Sequence, residues 1–512
     1  VKEFGASGDA KTVTDGAIST GTPNFTSATA AFASDDAGKK FYVTGAGAAG
    51  GLLSTTILTY VSATAVTLAA NAGTTVTGAT TLWGTDDTTF IQAASDQTNA
   101  GDVIYFPRAA NAYLITATIE LATGRSYYGA RAVIIMPEQA AAVDVMLHGT
   151  GLADGSIKGV HLMAPTMSLT RVGAKAAWTG VSSNIQALQL SNCVRFTLDD
   201  IGLQNVDDGI KLDTDAGQTS SDYTVTNIRS LNVHTPIFTG GVKRLTGGVW
   251  KLRCPASAST DNKDHQVYVA DGTEDMTVGD IEADGGAGYA LQCNGSSSTN
   301  PIKGVHFVDV RLKTVAYGCI AQQHCQDVTF DIVSIDGVAF AALNGSASRT
   351  GEVYTAATVA FTAASKQITD TASGLGGYVV GDTVLASGGS VSANNKAYVV
   401  VTAGAGTIVT AEAMSDQPAG GTITLKGQSE IPVISFSRFS IRNGQSGALM
   451  VSASDAGIVK FAQGEVIGYG QGQVLNPSGS HNCVVDDVDF VDCNHGSLAV
   501  NNCQAGADLA RL

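Results

Sequence analysis

The chain has 512 residues, of which 60 are glycine and only 14% are charged, and its formal net charge is −16. So acidic a composition argues against an extended nucleic-acid surface, which needs clustered Lys and Arg, and no stretch is apolar enough to span a bilayer. The chain starts at Val1 without a charged-then-apolar leader, so we expect a native N-terminal segment to be missing and localisation signals to be unreadable.

Two halves of one motif stand far apart near the N-terminus. The first is FGASGDAK, from Phe4 to Lys11, and the second is TDDTTFIQAASDQ, from Thr85 to Gln97. Joined together, they resemble the opening FGAxGDGxTDDTxxIQxA of the pectate-lyase superfamily of β-helices, which is frequent in bacteriophage tailspikes and capsule depolymerases. In that superfamily this piece lays a short helix over the open end of a solenoid. The resemblance therefore implies a capping helix from Thr88 to Ala100.

The residues of this segment agree with a helix. Asp86 or Asp87 can serve as its N-cap, and Phe90, Ile91 and Ala94 follow at helical spacing before the stop at Gly101-Asp102. VIYFP, which begins at Val103, then reads as the first strand of the first coil.

The residues between the two halves, 12–84, form alternating Thr, Val and Ala strands separated by Gly, and residues 352–427 have the same character. NFTSATAAF in the first segment matches AFTAASKQI in the second, and the two close on TTL and TITL. We predict two duplicated small β-modules that bind sugar or serve as spacers or interfaces. Their few aromatic residues favour the spacer or interface role.

The stretch from Cys193 to Asp213 predicts one coil of a solenoid. It holds two strands of alternating apolar residues and two corners, which leaves no room for a crossover helix. The pattern recurs at spacings of 22 to 29 residues, with one double interval of 53, and such periods are typical of solenoids. We assign its inward apolar position to Ile201, Ile228, Ile281, Val310, Ile332 and Val488.

These patterns predict an all-β fold, a right-handed single-stranded parallel β-helix with two small inserted β-modules and a short N-terminal capping helix. The family resemblance further implies a homotrimer. The predicted units are 1–11 (start of the cap motif), 12–84 (first module), 85–351 (capping helix and β-helix), 352–427 (second module) and 428–512 (C-terminal coils).

Cysteine usage favours reduced structural thiols. Four of the eight cysteines recur at one coil position, namely Cys193, Cys325, Cys483 and Cys503, which predicts an internal ladder in the stacked coils. No CxxC pair indicates zinc, and we predict neither a metal nor a cofactor.

The first candidate site is Asp207-Asp208, directly before Gly209. It resembles the DD-containing motif of polygalacturonase-like glycoside hydrolases, although the accompanying NTD, GHG and RIK motifs are not found. Adjacent carboxylates repel each other, which favours a general acid, but the same residues could simply form a corner. His234 follows Ile228 by six residues as Asp207 follows Ile201, so stacked coils should place Asp207 and His234 about 5 Å apart. A solvent-facing corner histidine is the alternative.

The second candidate is an acidic stretch on one strand. Ile281 is predicted to point inward, so Glu282 and Asp284 point outward, about 6.5 to 7 Å apart. That separation suits the two carboxyl groups of an inverting glycosidase. The alternative is an ordinary solvated acidic face.

The third candidate is a local excess of cations in an acidic chain. It would attract uronate or other acidic sugars, and a lyase needs such a cation together with a base. Trp250, Tyr268 and Tyr289 could stack against sugar rings. The set comprises Arg229, Lys243, Arg244, Lys251 and Arg253, with Asp264 and His265 just beyond and Lys211 able to join.

Together with the resemblance, these residues predict a tailspike-type depolymerase that binds and cleaves bacterial capsular or O-antigen polysaccharide. Hydrolysis by a carboxylate pair is favoured; the alternatives are β-elimination on uronic-acid glycans and a non-catalytic glycan-binding fibre. The expected partners are a bacterial surface polysaccharide, two further copies of the chain and a phage tail reached through the missing N-terminal segment, with no nucleic acid and no membrane. The expected location is the virion, acting at the host surface.

Overall fold

A computed structural model describes residues 1–137, 144–165, 185–254, 265–286, 288–295, 301–323, 325–338, 342–347, 353–378, 380–428, 433–444, 449–451, 458–468, 482–491 and 509–510. Within them, strands dominate. No helix among these residues is long and apolar enough to cross a bilayer. Short 3-10 turns occur at Lys2–Phe4, Ser34–Asp36, Ala48–Gly50 and Ser392–Asn394.

The N-terminal module has six strands: β1 (Lys11–Ile18), β2 (Asn24–Thr26), β3 (Lys40–Val43), β4 (Leu53–Ser62), β5 (Ala65–Leu68) and β6 (Val76–Gly84). They close into an antiparallel barrel in the order β1-β2-β5-β4-β3-β6. Phe25, Phe41 and Trp83 fill its core, each 0% exposed. Lys11 on the first strand pairs with Trp83 on the last. The chain therefore enters and leaves the barrel at one place.

The two halves of the N-terminal motif meet where the barrel closes. The Asp87 carboxylate accepts hydrogen bonds from the backbone N–H groups of Ser7 (2.5 Å) and Gly8 (3.0 Å). Asp9 in turn accepts bonds from the N–H (2.8 Å) and hydroxyl (2.9 Å) of Thr85. The motif is therefore continuous in space although the barrel interrupts it in sequence.

The helix α1 (Thr88–Gln97) ends three positions before the predicted Ala100, because Thr98 is extended and its hydroxyl donates to the Ala94 carbonyl at 3.0 Å. Asp87 occupies the N-cap position but its carboxylate is engaged elsewhere, so Asp86 accepts the Thr88 N–H instead (3.1 Å). Ile91 and Ala94 are buried in the solenoid core. The helix therefore covers apolar residues of the first coils.

The strands of the solenoid that precede the second module are β7 (Val103–Phe106), β8 (Tyr113–Leu114), β9 (Ile119–Glu120), β10 (Ser126–Ile135), β11 (Asp144–Thr150), β12 (Ala153–Met163), β13 (Ile185–Ser191), β14 (Val194–Asp199), β15 (Gly202–Gln204), β16 (Asp208–Asp213), β17 (Ser220–Thr226), β18 (Ile228–Leu231), β19 (Thr235–Gly240), β20 (Val242–Arg253), β21 (Val267–Ala270), β22 (Glu274–Asp284), β23 (Tyr289–Gly295), β24 (Ile302–Val315), β25 (Tyr317–Gln323), β26 (Cys325–Val338) and β27 (Leu343–Ala347).

These strands form three parallel faces. The long strand β20 pairs through its first half with β17 and through its second half with β18, and β12 pairs likewise with β14 and β15. Face 1 is the parallel sheet that contains β14, β17 and the first half of β20. Face 2 is the parallel sheet that contains β15, β18 and the second half of β20. Face 3 runs in the order β9-β11-β13-β16-β19-β21-β23-β25-β27. Each strand pairs in parallel with the next coil, which gives a right-handed parallel β-helix.

The inward column of face 2 shows where the predicted repeat is right and where it is wrong. The register continues from Ile228 through Trp250, which fills the coil skipped in the double interval of 53 residues. Val310 then pairs with Val333, whereas Ile332 is 36% exposed. The assignment of Ile332 to the inward position is therefore wrong by one residue, which reverses the direction of its side chain. The other predicted members are buried: Ile201, Ile228, Ile281, Val310 and Val488.

The described cysteines are buried thiols that form no disulfide with one another, as predicted for Cys193 and Cys325. Cys193 stands just before β14 and Cys325 is the first residue of β26, so both lie at the start of a face 1 segment. Burial raises the pKa of the Cys193 and Cys293 thiols. The Cys483 side chain and Cys503 lie outside the described residues.

The second module has the strands β28 (Val353–Ala356), β29 (Val359–Thr362), β30 (Gln367–Asp370), β31 (Thr383–Ser387), β32 (Ala397–Thr402), β33 (Thr407–Thr410) and β34 (Ile423–Gln428). Its order is β28-β34-β31-β32-β33-β30-β29, a seven-stranded sheet, whereas the first module closes into a barrel with six strands. The two modules share the antiparallel pairing of the first strand with the last, β1 with β6 and β28 with β34. The duplication that the sequence suggests stays a prediction.

The solenoid continues with β35 (Val433–Gly444), β36 (Leu449–Val451), β37 (Ile458–Ile467), β38 (Asn482–Asp486), β39 (Val488–Val491) and β40 (Leu509–Ala510). The strands β26 and β35 pair directly as neighbouring coils, with Val328 opposite Ile434. The second module therefore lies outside an uninterrupted stack.

Candidate functional site

The predicted carboxylates and histidines meet at the corner where the chain enters face 3. Asp208 begins β16 and pairs with Gln186 below it and Thr235 above it. His265 continues the column, because it lies two residues before Val267, whose register partner is Ile237. Four coils thus bring polar residues to one edge of face 3.

Asp207 and His234 lie at equivalent positions on neighbouring coils, as predicted from their spacing. The Thr235 N–H donates to the Asp207 carbonyl at 3.0 Å, which fixes this register. The alternative of a solvent-facing histidine is wrong, since His234 is only 1% exposed. Asp207 and Asp208 are each 6% exposed and His265 is 8% exposed. The corner is therefore a buried polar cluster, which we call the corner cluster.

Glycine allows the coils to approach each other here. A Cβ on Gly209 would lie 2.4 Å from the Pro236 carbonyl oxygen, a backbone atom of the next coil. Any other residue would push β16 away from β19 beside Asp208. The close approach of these two strands is thus built into the Asp-Asp-Gly sequence.

Buried amides complete the corner cluster. Gln186 is 4% exposed, and its Nε2 has no hydrogen-bond partner among the described residues. Gln266 donates from Nε2 to the carbonyls of Asp284 (2.8 Å) and Gly285 (2.9 Å), so it ties one coil to the next. Buried donors normally have a hydrogen-bond acceptor, and the Gln186 Nε2, one coil from Asp208, lacks one among the described residues.

Beside the corner cluster, the outward side chains of face 3 line a cleft of about 650 Å³. Phe238 and Tyr268 lie on adjacent strands with ring centroids 5.5 Å apart, and His265 stacks on Tyr268 at 5.0 Å and 17°. Lys211 Nζ lies 6.0 Å from the Phe238 centroid and 3.0 Å from the Asp213 carboxylate. We call this the face 3 cleft; its charged lining residues are Lys211, Lys243, Asp213, Asp215 and Asp271.

The His265 ring has an assignable tautomer. Its Nδ1 lies 3.0 Å from the Tyr289 carbonyl oxygen, which can only accept a hydrogen bond. Nδ1 is therefore assigned the proton in the neutral ring. The ring is held between this carbonyl and Tyr268.

The second candidate pair, Glu282 and Asp284, lies on face 2 within a ladder of alternating charges. Glu282 pairs in register with Lys251 and Arg311, and Lys251 Nζ lies 3.8 Å from its carboxylate. Asp284 lies between Arg253 and Lys313 in the same way. Opposite charges on adjacent strands stabilise stacking. These carboxylates do not converge with Asp207 and Asp208, which lie on another face.

Trp250 does not bind substrate, contrary to expectation. Its ring is 0% exposed and its Nε1–H donates to the Val225 carbonyl at 2.9 Å. It occupies the inward column of face 2. Trp250 belongs to the coil that the interval of 53 residues skips. Once that coil is counted, the alternation of side chains along β20 places its ring inside.

The predicted basic set is divided among the faces. Arg229, Lys251 and Arg253 lie on face 2, whereas Arg244 pairs with Asp222 at 2.6 Å on face 1. His234, the candidate base for elimination, lies in the corner cluster. Arg253 lies next to this corner, since its carbonyl accepts the Val233 N–H at 3.4 Å, and the combination of His234 with Lys251 and Arg253 stays a prediction. Asp264 lies outside the described residues.

Sequence reasoning missed Phe238 and Gln186. The signal for Phe238 was its position in the same outward column as Lys211 and Tyr268, which the coil register defines. Gln186 follows a segment outside the described residues and carried no recognisable spacing. Among the described residues, no group of three or more His, Cys, Asp or Glu side chains could hold a metal ion.

The fold of this chain is a right-handed parallel β-helix. No protein-family model matches the sequence, and no curated protein matches it significantly. Among solved structures, the A-module of mannuronan C-5 epimerase AlgE6 from Azotobacter vinelandii aligns with 10% identity and a TM-score of 0.45, over 81% of this chain and 93% of that one.

Polygalacturonase from Erwinia carotovora ssp. carotovora aligns with 11% identity and a TM-score of 0.39, over 82% of this chain and 94% of the other. The tailspike gp49 of Acinetobacter baumannii bacteriophage Fri1, a capsular polysaccharide depolymerase, aligns with 10% identity and a TM-score of 0.24, over 67% and 80%. Such low values reflect stacked coils alone. The chemistry of this chain has to be inferred from its own residues.

Proposed function

We propose that this protein binds a bacterial surface polysaccharide in the face 3 cleft and hydrolyses it with the carboxylates of the corner cluster. The observation that carries the proposal is that His265, a member of the corner cluster with its two nearly buried carboxylates, stacks on Tyr268, which lines the aromatic, charged cleft. A concave site with a few convergent polar groups is the usual form of a ligand site.

The cleft offers what a sugar chain needs. Phe238 and Tyr268 present an aromatic surface to the apolar face of a pyranose, and Asn294, which donates to the Tyr268 hydroxyl at 2.9 Å, adds a polar group at the rim. Lysines and carboxylates on the same wall can bond to hydroxyl groups. Aromatic bodies with polar tips suit such amphipathic ligands.

Hydrolysis then needs an acid and a base. One carboxyl of Asp207 and Asp208 gives its proton to the departing glycosidic oxygen as the C–O bond breaks. The other takes a proton from the water that attacks the anomeric carbon. His234, on the coil above Asp207, positions that side chain. His265 holds Tyr268 against the sugar.

The test is cleavage of capsular polysaccharides from a panel of bacteria, analysed by mass and ultraviolet absorbance. We expect fragments that carry one added water, and we expect Asp207→Asn and Asp208→Asn each to slow cleavage at least about 100-fold, as loss of an acid or base does. Asp222→Asn is the matched control. It removes a carboxylate of the Arg244 ion pair on face 1, and its rate should stay within twofold.

Three outcomes contradict the mechanism. Full activity of both corner variants at unchanged thermal stability would remove the corner cluster from catalysis. Fragments that absorb as unsaturated uronates would instead establish β-elimination, for which the cleft supplies Lys211 as the cation. Polymer that co-elutes intact with the protein would leave a glycan-binding fibre.

From the sequence resemblance we further propose a homotrimer that is carried on a phage tail and acts at the host surface. Sedimentation of the protein tests the assembly. A monomer at micromolar concentration would contradict it.

A further inference from the structure

A second groove runs along face 2, away from the face 3 cleft. Its floor is one outward column in which His161, Gly202 and Arg229 are register partners on three successive coils. The groove has a volume of about 430 Å³, and Arg131 forms part of its wall.

The groove exists because one member of the column is glycine. A Cβ on Gly202 would lie 3.0 Å from the His161 ring, so a larger residue would cover that ring and fill the space. His161 makes no hydrogen bond or ion pair with the described residues, and its imidazole nitrogens are open to a ligand. Arg229 is the register partner of Gly202 on the next coil. Its side chain extends past the space above Gly202 and pairs with Asp200.

Arg131 links this groove to a second cavity. It lines both the groove and an adjoining space of about 560 Å³ between the first coils and the N-terminal module, where Lys11 and Arg108 also lie. Arg131 is exposed and forms no ion pair or hydrogen bond with any described residue. Its left-handed backbone, at φ 56°, projects it from the corner of β10.

The charge balance of the two sites is opposite. The groove and the adjoining cavity are lined by four cationic residues and one carboxylate, which already pairs with Arg229. The face 3 cleft is lined by two lysines and three carboxylates. In a chain of net charge −16, four cations around two spaces that share Arg131 stand out, although Lys11 also lies 3.9 Å from the Asp36 carboxylate.

We propose that the face 2 groove is a second glycan-binding site, one that takes carboxylate-bearing segments of a polysaccharide. Arg131 and Arg229 bind the sugar carboxylates, since guanidinium groups match their planar geometry, and His161 bonds to a hydroxyl above Gly202. Binding in this groove requires no cleavage. The proposal for the groove can therefore be tested independently of the proposed catalysis by the corner cluster.

An acidic sugar fits better than a nucleic acid. A duplex needs many phosphate contacts, and single strands need aromatic platforms for the bases. Among the described lining residues of the two spaces, Trp83 is the only Phe, Tyr or Trp, and it is 0% exposed. The carboxylates of an acidic polysaccharide are spaced along the chain, and they match the few, separated cations of the groove.

The test is titration of the full chain with hexagalacturonate and, in parallel, with neutral maltohexaose. We expect the acidic hexamer to bind more tightly, with an affinity that falls as salt is raised. Arg131→Gln should weaken binding about fivefold and the double variant Arg131→Gln/Arg229→Gln at least about tenfold, as expected for charge-assisted bonds. Gly202→Leu should weaken it comparably while every charge is kept.

Arg195→Gln is the matched control for Arg229→Gln. Arg195 also pairs with an aspartate, Asp154 at 2.6 Å, and the two arginines are similarly exposed at 58% and 55%, but Arg195 lies on face 1. Its variant should bind within twofold of the wild type. Equal weakening by Arg195→Gln would show that only net charge matters and would overturn the site.

Other results also overturn the proposal. Unchanged affinity in the double variant, or equally tight binding of maltohexaose, would remove acidic sugars from this groove. A twelve-nucleotide oligothymidylate that binds more tightly than hexagalacturonate and responds to the same variants would assign the groove to nucleic acid. The corner variants Asp207→Asn and Asp208→Asn should leave binding of the hexamer unchanged, which separates this result from any failure of hydrolysis.

Discussion

At the scale of single residues, side-chain direction decides which predicted groups can act. Trp250 and Lys251 are neighbours in sequence, but the first fills the core and the second is 59% exposed in its side chain. His161 shows the opposite case. It looks like an ordinary strand residue in sequence, and only the glycine on the next coil opens its ring to the groove.

His161 gives a prediction about pH. Burial, followed by the nearby Arg229 charge, lowers the pKa of its imidazole below the ordinary 6.5. The charged groups that face it are Arg131 on β10 and Arg229 on β18, with Asp200 beside them. Because the unfolded chain then binds the proton at higher pH than the folded chain, this group should make the free energy of unfolding fall as pH drops through 6.5 toward the lowered pKa. The contribution is fully present above 6.5.

Two measurements check this. The His161 resonance in an NMR titration should have its midpoint below 6.5, and Arg229→Gln should move that midpoint upward. Urea unfolding at pH 7.5 and pH 5 should show a smaller pH dependence for His161→Gln than for the wild type. A midpoint at or above 6.5 would mean that the ring is not desolvated.

At the scale of strands, face 2 carries two ladders of alternating charge. One passes from Arg253 through Asp284 and Lys313 to Asp336 and Arg442 on consecutive coils. Each charge has opposite neighbours about 4.8 Å away in the stacking direction. The ladder therefore favours the observed register, because a slip by one residue would remove the charges from this column.

The ladder predicts the effect of reversing one charge. Asp284→Lys would put three cations on consecutive coils and should destabilise the protein by roughly 1 kcal/mol, less at 1 M salt. Asp284→Asn should lower the free energy of unfolding by a smaller amount. Neither variant should slow polysaccharide cleavage. A loss of activity in Asp284→Asn at unchanged stability would instead assign catalysis to Glu282 and Asp284.

The repeat pattern predicted the solenoid, the equivalent positions of Asp207 and His234 and the burial of Cys193 and Cys325, because each follows from the coil period. It failed at Ile332, where Asp331, Ile332 and Val333 offer two adjacent apolar residues and only pairing with Val310 selects the second. The groove and the cleft could not be predicted. They depend on side chains from four coils whose lengths vary, and a one-residue error in any coil would move its side chain to the other side of the sheet.

At the scale of the whole molecule, both modules attach through paired ends. Val353 and Lys426, near the two ends of the second module, are register partners in an antiparallel pair, so their Cα atoms lie about 5 Å apart. The module also has its own core, which includes Val359, Ile368 and Leu425. Such an insertion can be removed without opening the stack, because β26 and β35 already pair.

Replacing residues 354–425 by a two-residue Asn-Gly turn should therefore leave a folded solenoid with unchanged cleavage, since the corner cluster lies on β16 to β21. Circular dichroism, thermal unfolding and the polysaccharide assay measure this. The matched removal of residues 12–82 should differ, because the removed Thr12, Val13, Thr29 and Ala30 line the cavity that adjoins the face 2 groove. That variant should bind hexagalacturonate more weakly while the excision of the second module leaves binding intact. Equal losses in both variants would make the modules structural supports and would remove the N-terminal barrel from sugar recognition.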